Sequence, residues 1–192
     1  MTGKEIILER IRQNKPREKP LPESFSKGRV ILTSDQLIVR FSKNLEKAGA
    51  ELVECENEEE INNLLTANFE DNLIDLRNPE TKTNYAIAVS KEELGKTQAL
   101  VIEGQFGVAE NGAIWIDETN FPDRLLPFIT EKLVVILNRG NIVSDMREAY
   151  RKVNLTNTGF GVFISGPSKT ADIEQSLVYG AHGAKTMSIL IC

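Results

Sequence analysis

Apolar positions recur along this chain with two alternating periods, and that alternation sets the fold class. Over residues 4–13, Ile7, Leu8 and Ile11 fall at helical spacing and predict a short amphipathic helix. Residues 14–22 set Pro16, Pro20 and Pro22 among Lys15, Arg17, Glu18 and Lys19. Proline lacks the amide hydrogen and locks φ, so this stretch predicts an extended, solvated linker. The helix before it is expected to pack on a partner chain or on the far side of the domain. Leu37, Ile38, Phe41 and Leu45 line one face of a helix that starts at Ser34 or Asp35 and stops at Gly49. A short strand over 51–55 follows, then a helix over 58–68 presenting Ile61, Leu64 and Leu65.

Beyond residue 70 the predicted elements shorten. Extended segments cover 73–76 and 85–89, and strands over 99–103 and 113–116 flank a glycine-bearing connection, 104–112. The unbroken apolar run 133–137 suits a strand covered on both faces. A helix over 144–152, a strand over 161–165, a helix over 171–179 and a strand over 187–191 complete the pattern. Strands separated by helices require crossovers, hence an α/β fold with a mostly parallel sheet and helices on both sides. The expected organisation is an N-terminal arm, residues 1–22, followed by one α/β domain, residues 23–192.

Charge and cysteine usage narrow the function. A net charge of −5 and a pI near 5.1 argue against a protein built to bind phosphate backbones. No apolar run approaches the roughly 20 residues that span a bilayer. Glu5 and Glu9 interrupt the first helix, so no signal-peptide core is read there, and the expected compartment is the cytoplasm. The two cysteines, Cys55 and Cys192, stand far apart in sequence and outside any CxxC pair. No iron–sulfur cluster, zinc ribbon or other cofactor is therefore expected on this chain alone. One histidine, His182, leaves no histidine-rich metal site.

Two segments carry candidate chemistry. In the first, a strand runs into Gly166 and Pro167, and Ser168 or Thr170 is placed to cap the helix predicted next, with Asp172 and Glu174 in its first turn. Capping alone accounts for Ser168, Thr170 and Asp172. Alternatively, free N–H groups at that helix start, with Lys169, hold an anionic ligand. The GxxxxGK[ST] spacing of a P-loop is absent. Gly180, Ala181, His182 and Gly183 then turn the chain, and His182 reads either as a structural hydrogen-bonder or as an acid or base near neutral pH.

The second segment runs over 103–113. Asn111 and Gly112 suit a tight hairpin turn. Val108, Ala109, Ile114 and Trp115 suggest a hydrophobic wall beside Glu110, where burial would tune its carboxylate as a base or nucleophile. Asp117 and Glu118 read as a solvated strand end.

The run Gly166-Pro167-Ser168-Lys169-Thr170-Ala171-Asp172-Ile173-Glu174, continued by Gly180-Ala181-His182-Gly183, closely resembles the signature of the lactate-utilisation (LUD) domain family, nearest its lactate utilisation protein C type. Residues 107–112 resemble the family's Ala-(Asp/Glu)-Thr-Gly turn, with Asn111 where threonine or serine is usual, so no hydroxyl is offered there. The resemblance implies a three-layer α/β/α sandwich like the NagB/RpiA/CoA-transferase superfamily. It also implies a part in oxidising L-lactate to pyruvate, as an accessory or substrate-handling subunit beside iron–sulfur partner proteins. Two other readings remain. Glu110-Asn111-Gly112 is similar to the turn bearing the glutamate nucleophile of some CoA-transferases. The loop with Lys169 would equally suit a non-catalytic module for a small carboxylate or phosphorylated metabolite. The expected pocket sets Glu110, Asn111 and Gly112 against Gly166, Ser168, Lys169, Thr170 and Asp172, with His182 at its rim. Within it Glu110 is the first candidate acid–base group and His182 the second.

Overall fold

The computed structural model describes residues 2–16, 31–69, 73–81, 98–154, 158–171, 177–180 and 182–192. The chain divides into two compact units, Met1–Ile31 and Leu32–Cys192. In the first, helix α1 (Gly3–Gln13) opens with a capping box in which the Thr2 hydroxyl accepts from the Glu5 amide and the Glu5 carboxylate accepts from the Thr2 amide. Its apolar residues Ile7, Leu8 and Ile11 are exposed. The extended segment expected over 85–89, and all of the proline linker beyond Pro16, lie outside the described residues.

In the second unit the helical period gives α2 (Ser34–Ala48), capped by Thr33 and Gln36 and ended by Gly49 in the left-handed conformation. Strand β1 (Glu51–Glu54) and α3 (Glu58–Phe69) follow as read from the sequence. The next strands are β2 (Leu73–Asp75), β3 (Ala99–Gly104), β4 (Phe106–Val108) and β5 (Ala113–Asp117). A short helix α4 (Leu126–Ile129) precedes β6 (Lys132–Leu137) and β7 (Ile142–Val143). Helix α5 (Met146–Lys152), β8 (Gly161–Ile164), β9 (Lys169–Ala171), β10 (Leu177–Tyr179) and β11 (Thr186–Ile191) complete the described order.

The main sheet has the order β1-β11-β6-β3-β2, and every neighbouring pair is parallel. Alternation along β3 and β6 sends Leu100, Ile102, Leu133 and Val135 to the face packed by Phe41 and Leu45 of α2. Val101, Val134 and Ile136 go to the opposite face, against Ile61 and Leu65 of α3. A mostly parallel sheet with helices on both sides is thus established, and the continuous apolar runs follow from burial of both faces. Each fully buried aliphatic side chain contributes about 1.5–3 kcal/mol by leaving water.

Two departures from the sequence reading matter for the site. First, the face covered by α2 also carries a second sheet, β7-β4-β5-β8, closed around Phe106, Trp115 and Phe163. Its β4 and β7 have three and two residues, too few to show a period. Second, the helix expected over 171–179 is not formed at either described end. Lys169–Ala171 and Leu177–Tyr179 pair instead as an antiparallel ribbon. Among the described residues, the chain after Gly166 and Pro167 therefore enters a strand, and the helix start expected to supply N–H donors is not placed there. No described helix is long and apolar enough to cross a membrane.

Candidate functional site

The C-terminal half of α2 is the platform on which both candidate loops sit. Asn44 is half-buried on the flank of the apolar stripe that carries Phe41 and Leu45. Its amide donates to the Ala109 carbonyl at 2.8 Å and to the Glu110 carbonyl at 3.0 Å. Gly112, at φ +69, lies so close to the helix that a Cβ there would meet the Leu45 amide nitrogen at 2.8 Å. One helical turn on, Gly166, at φ +74, lies against Ala48, and a Cβ there would meet its carbonyl oxygen at 2.3 Å. Only glycine satisfies both the left-handed backbone and the approach. The Lys169 ammonium donates to the same Ala48 carbonyl, where a cation complements the negative end of the helix. The Ser165 hydroxyl donates to the Asn111 carbonyl at 2.8 Å and ties the two loops together.

The hairpin turn is formed as expected: β4 pairs with β5, and the Gly112 amide donates to the Val108 carbonyl at 2.9 Å. The Asn111 side chain accepts from the Ala113 amide at 3.1 Å and is folded into its own turn. Glu110 is exposed, so the hydrophobic wall expected beside it is absent. Its neighbours Val108 and Ala109 turn into the core, and the carboxylate accepts from the Met146 amide at 2.9 Å, at the first residue of α5. Asp117 corrects the sequence reading in the other direction. It is 3% exposed rather than solvated, and accepts from the Gln105 amide, the Thr119 N–H and the Thr119 hydroxyl. Glu118 pairs with Arg124, which together with the Gly159 amide holds its carboxyl below the usual range.

The His182 turn has a different character. The Ser168 amide donates to the Ala184 carbonyl at 2.9 Å, and the Gly180 amide donates to the Ser168 carbonyl at 3.0 Å. The Ser168 hydroxyl accepts from the His182 amide at 3.4 Å. One serine thus clamps the glycine-proline-serine loop to the histidine turn, and the imidazole is exposed. Two cavities meet there, sharing Phe128, His182 and Gly183. One, of about 250 Å³, runs under Val162, Ser165, Gly166 and Ser168; the other, of about 480 Å³, is walled by Thr130, Glu131 and Lys185. Lys185 and Glu131 form an ion pair at 2.7 Å, which holds the Glu131 carboxyl below its ordinary range.

Of the residues expected to converge, the structure thus gathers Glu110, Asn111, Gly112, Gly166 and Lys169 against one helix, and Gly166, Ser168 and His182 around the cavities. Glu110, Asn111, Gly112 and Lys169 line neither cavity. Asp172 lies outside the described residues. Sequence reasoning missed Asn44, whose signal was an amide beside an apolar helical stripe. It also missed Phe128, Glu131 and Lys185, which no motif marks.

The LUD domain family profile matches residues 69–192. The chain belongs to the LUD domain family. The LUD match contains the hairpin turn, the glycine-proline-serine loop and the His182 turn, while α2 precedes it. Among similar curated proteins, Lactate utilization protein C of Shouchella clausii is 35% identical over 82 residues, covering 40% of this chain and 35% of the relative. Lactate utilization protein C of Bacillus pumilus is 34% identical over 111 residues, covering 53% and 46%. The chain thus spans less than half the length of these two relatives. A crystal structure of a DUF162 family protein from Deinococcus radiodurans superposes with a TM-score of 0.64 at 15% identity, over 84% of this chain and 99% of that one. That likeness establishes the fold.

Proposed function

We propose that this LUD chain is the substrate-handling subunit of a cytoplasmic system that oxidises L-lactate to pyruvate, acting beside iron–sulfur proteins that take the electrons. The observation that carries this reading is the Ser168-clamped His182 turn standing where two cavities meet. The name borne by the relatives supplies the substrate class. Oxidising a 2-hydroxy acid releases two protons and two electrons. The exposed imidazole at the cavity mouth is the group placed to take one of those protons, and Lys185, paired with Glu131 on the cavity wall, is the cation that a carboxylate would meet there. With two cysteines and one histidine in the whole chain, electron transfer is assigned to the partners.

The test is affinity purification of the tagged chain from its native cells, followed by iron analysis and lactate-dependent dye reduction. Iron-bearing partners that arrive with activity, and a chain that is inert once separated from them, are the expected results. Dye reduction by the isolated chain would overturn the accessory role. A chain recovered without partners, whose addition to the iron–sulfur proteins leaves lactate oxidation unchanged, would overturn the lactate reading altogether.

A further inference from the structure

The two cysteines, 137 positions apart, are brought to neighbouring positions on adjacent parallel strands. The ladder between β1 and β11 runs through Val53↔Leu190 and Glu54↔Ile191, so the next register position sets Cys55 beside Cys192. The Cys55 amide donates to the Ile191 carbonyl at 2.8 Å, which extends the ladder to that position. Cys192 is held from its other side, since its amide donates to the Leu137 carbonyl and its carbonyl accepts from the Arg139 amide. Both cysteines stand two residues beyond Val53 and Leu190, which pack in the core on the α3 face, so both project to that face. Neighbouring strands lie about 4.8 Å apart, within the roughly 4.4–6.8 Å between Cα atoms that a disulfide spans.

We propose that Cys55 and Cys192 form a thiol–disulfide redox site that exchanges with a low-molecular-weight disulfide. The two thiols differ in access: Cys192 is exposed and Cys55 is buried. Burial, Glu60 and Cys192 each push the Cys55 thiol upward, which keeps it protonated until its neighbour has reacted. The Cys192 thiolate attacks one sulfur of the incoming disulfide, forming a mixed disulfide and expelling the first small thiolate, which takes up the proton that Cys192 lost. Cys55 then passes its proton to the second leaving sulfur as its own sulfur attacks Cys192, closing the Cys55–Cys192 bond. Two protein thiols are oxidised, one small disulfide is reduced to two thiols, and no further oxidant is needed.

The full chain, first reduced and then equilibrated with glutathione disulfide, is quenched with a maleimide and its intact mass measured. Both reactive thiols should disappear together, at the mass of the chain less two hydrogens, with a digest peptide joining Cys55 to Cys192. Cys55→Ser should halt at one glutathione on Cys192, and Cys192→Ser should keep its remaining thiol reduced. A wild-type product that retains glutathione on Cys192, links two chains, or stays fully alkylated at every glutathione ratio overturns the proposal.

Discussion

The turn that bears Glu110 and the turn that bears His182 differ in how much of their polarity is already spent. Around Glu110, the Asn44 amide takes two carbonyls, Ser165 takes a third, Asn111 closes on its own turn and the carboxylate caps α5. Around His182, Ser168 fixes the backbone and leaves the imidazole exposed beside two cavities. A carboxylate in a glycine-bearing turn and a histidine in a glycine-bearing turn look equally chemical in a sequence. What separates them is the helix beneath, which engages one turn and leaves the other open.

The largest effect is expected where a loop meets that helix. Gly166→Ala puts a Cβ against the Ala48 carbonyl in a left-handed backbone, and should cost about 3 kcal/mol in a urea melt. A cost under about 1 kcal/mol would mean that the loop is not docked on α2. Asn44→Ala leaves the Ala109 and Glu110 carbonyls without their donor, and should cost about 1–2 kcal/mol. An unchanged melting curve would remove Asn44 from the platform. His182→Ala, at an exposed position, should alter stability by no more than about 0.5 kcal/mol. A larger loss would make it a structural residue and blunt the contrast between the turns.

The smallest expected effect is a pH dependence at the mouth of the larger cavity. Lys185 lowers the Glu131 carboxyl in the folded chain, so the unfolded chain binds that proton more readily. The pair's contribution is present above the unfolded carboxylate range, near about pH 4.3, and is lost as pH falls through the lower folded value. Glu131→Gln should flatten that acid limb slightly while leaving stability at pH 7 nearly unchanged. An acid limb identical to that of the unmutated chain would remove the pair from the electrostatics of the cavity.

The main sheet was legible because period speaks clearly over long elements. The stripe Leu37, Ile38, Phe41 and Leu45 yields α2 with both ends placed, and the run Leu133–Leu137 yields a strand buried on two faces. The second sheet was not, since Phe106–Val108 and Ile142–Val143 are strands only by virtue of their neighbours. The ribbon Lys169–Ala171 with Leu177–Tyr179 was misread because capping residues after a glycine-proline pair imitate a helix start, and β-pairing prevailed. The turn residues Asn111 and Gly112 marked a hairpin that forms. The motifs gave no account of Asn44, of buried Asp117, or of two cysteines whose adjacency depends on which strands neighbour in a parallel sheet.

The most direct test compares His182→Ala with Glu110→Gln in the reconstituted lactate-dependent dye reduction. Glutamine keeps an acceptor for the Met146 amide while removing the charge and the nucleophile. The account predicts that Glu110→Gln retains activity and that His182→Ala loses it with its partners still bound. Activity that survives in His182→Ala and vanishes in Glu110→Gln would contradict it.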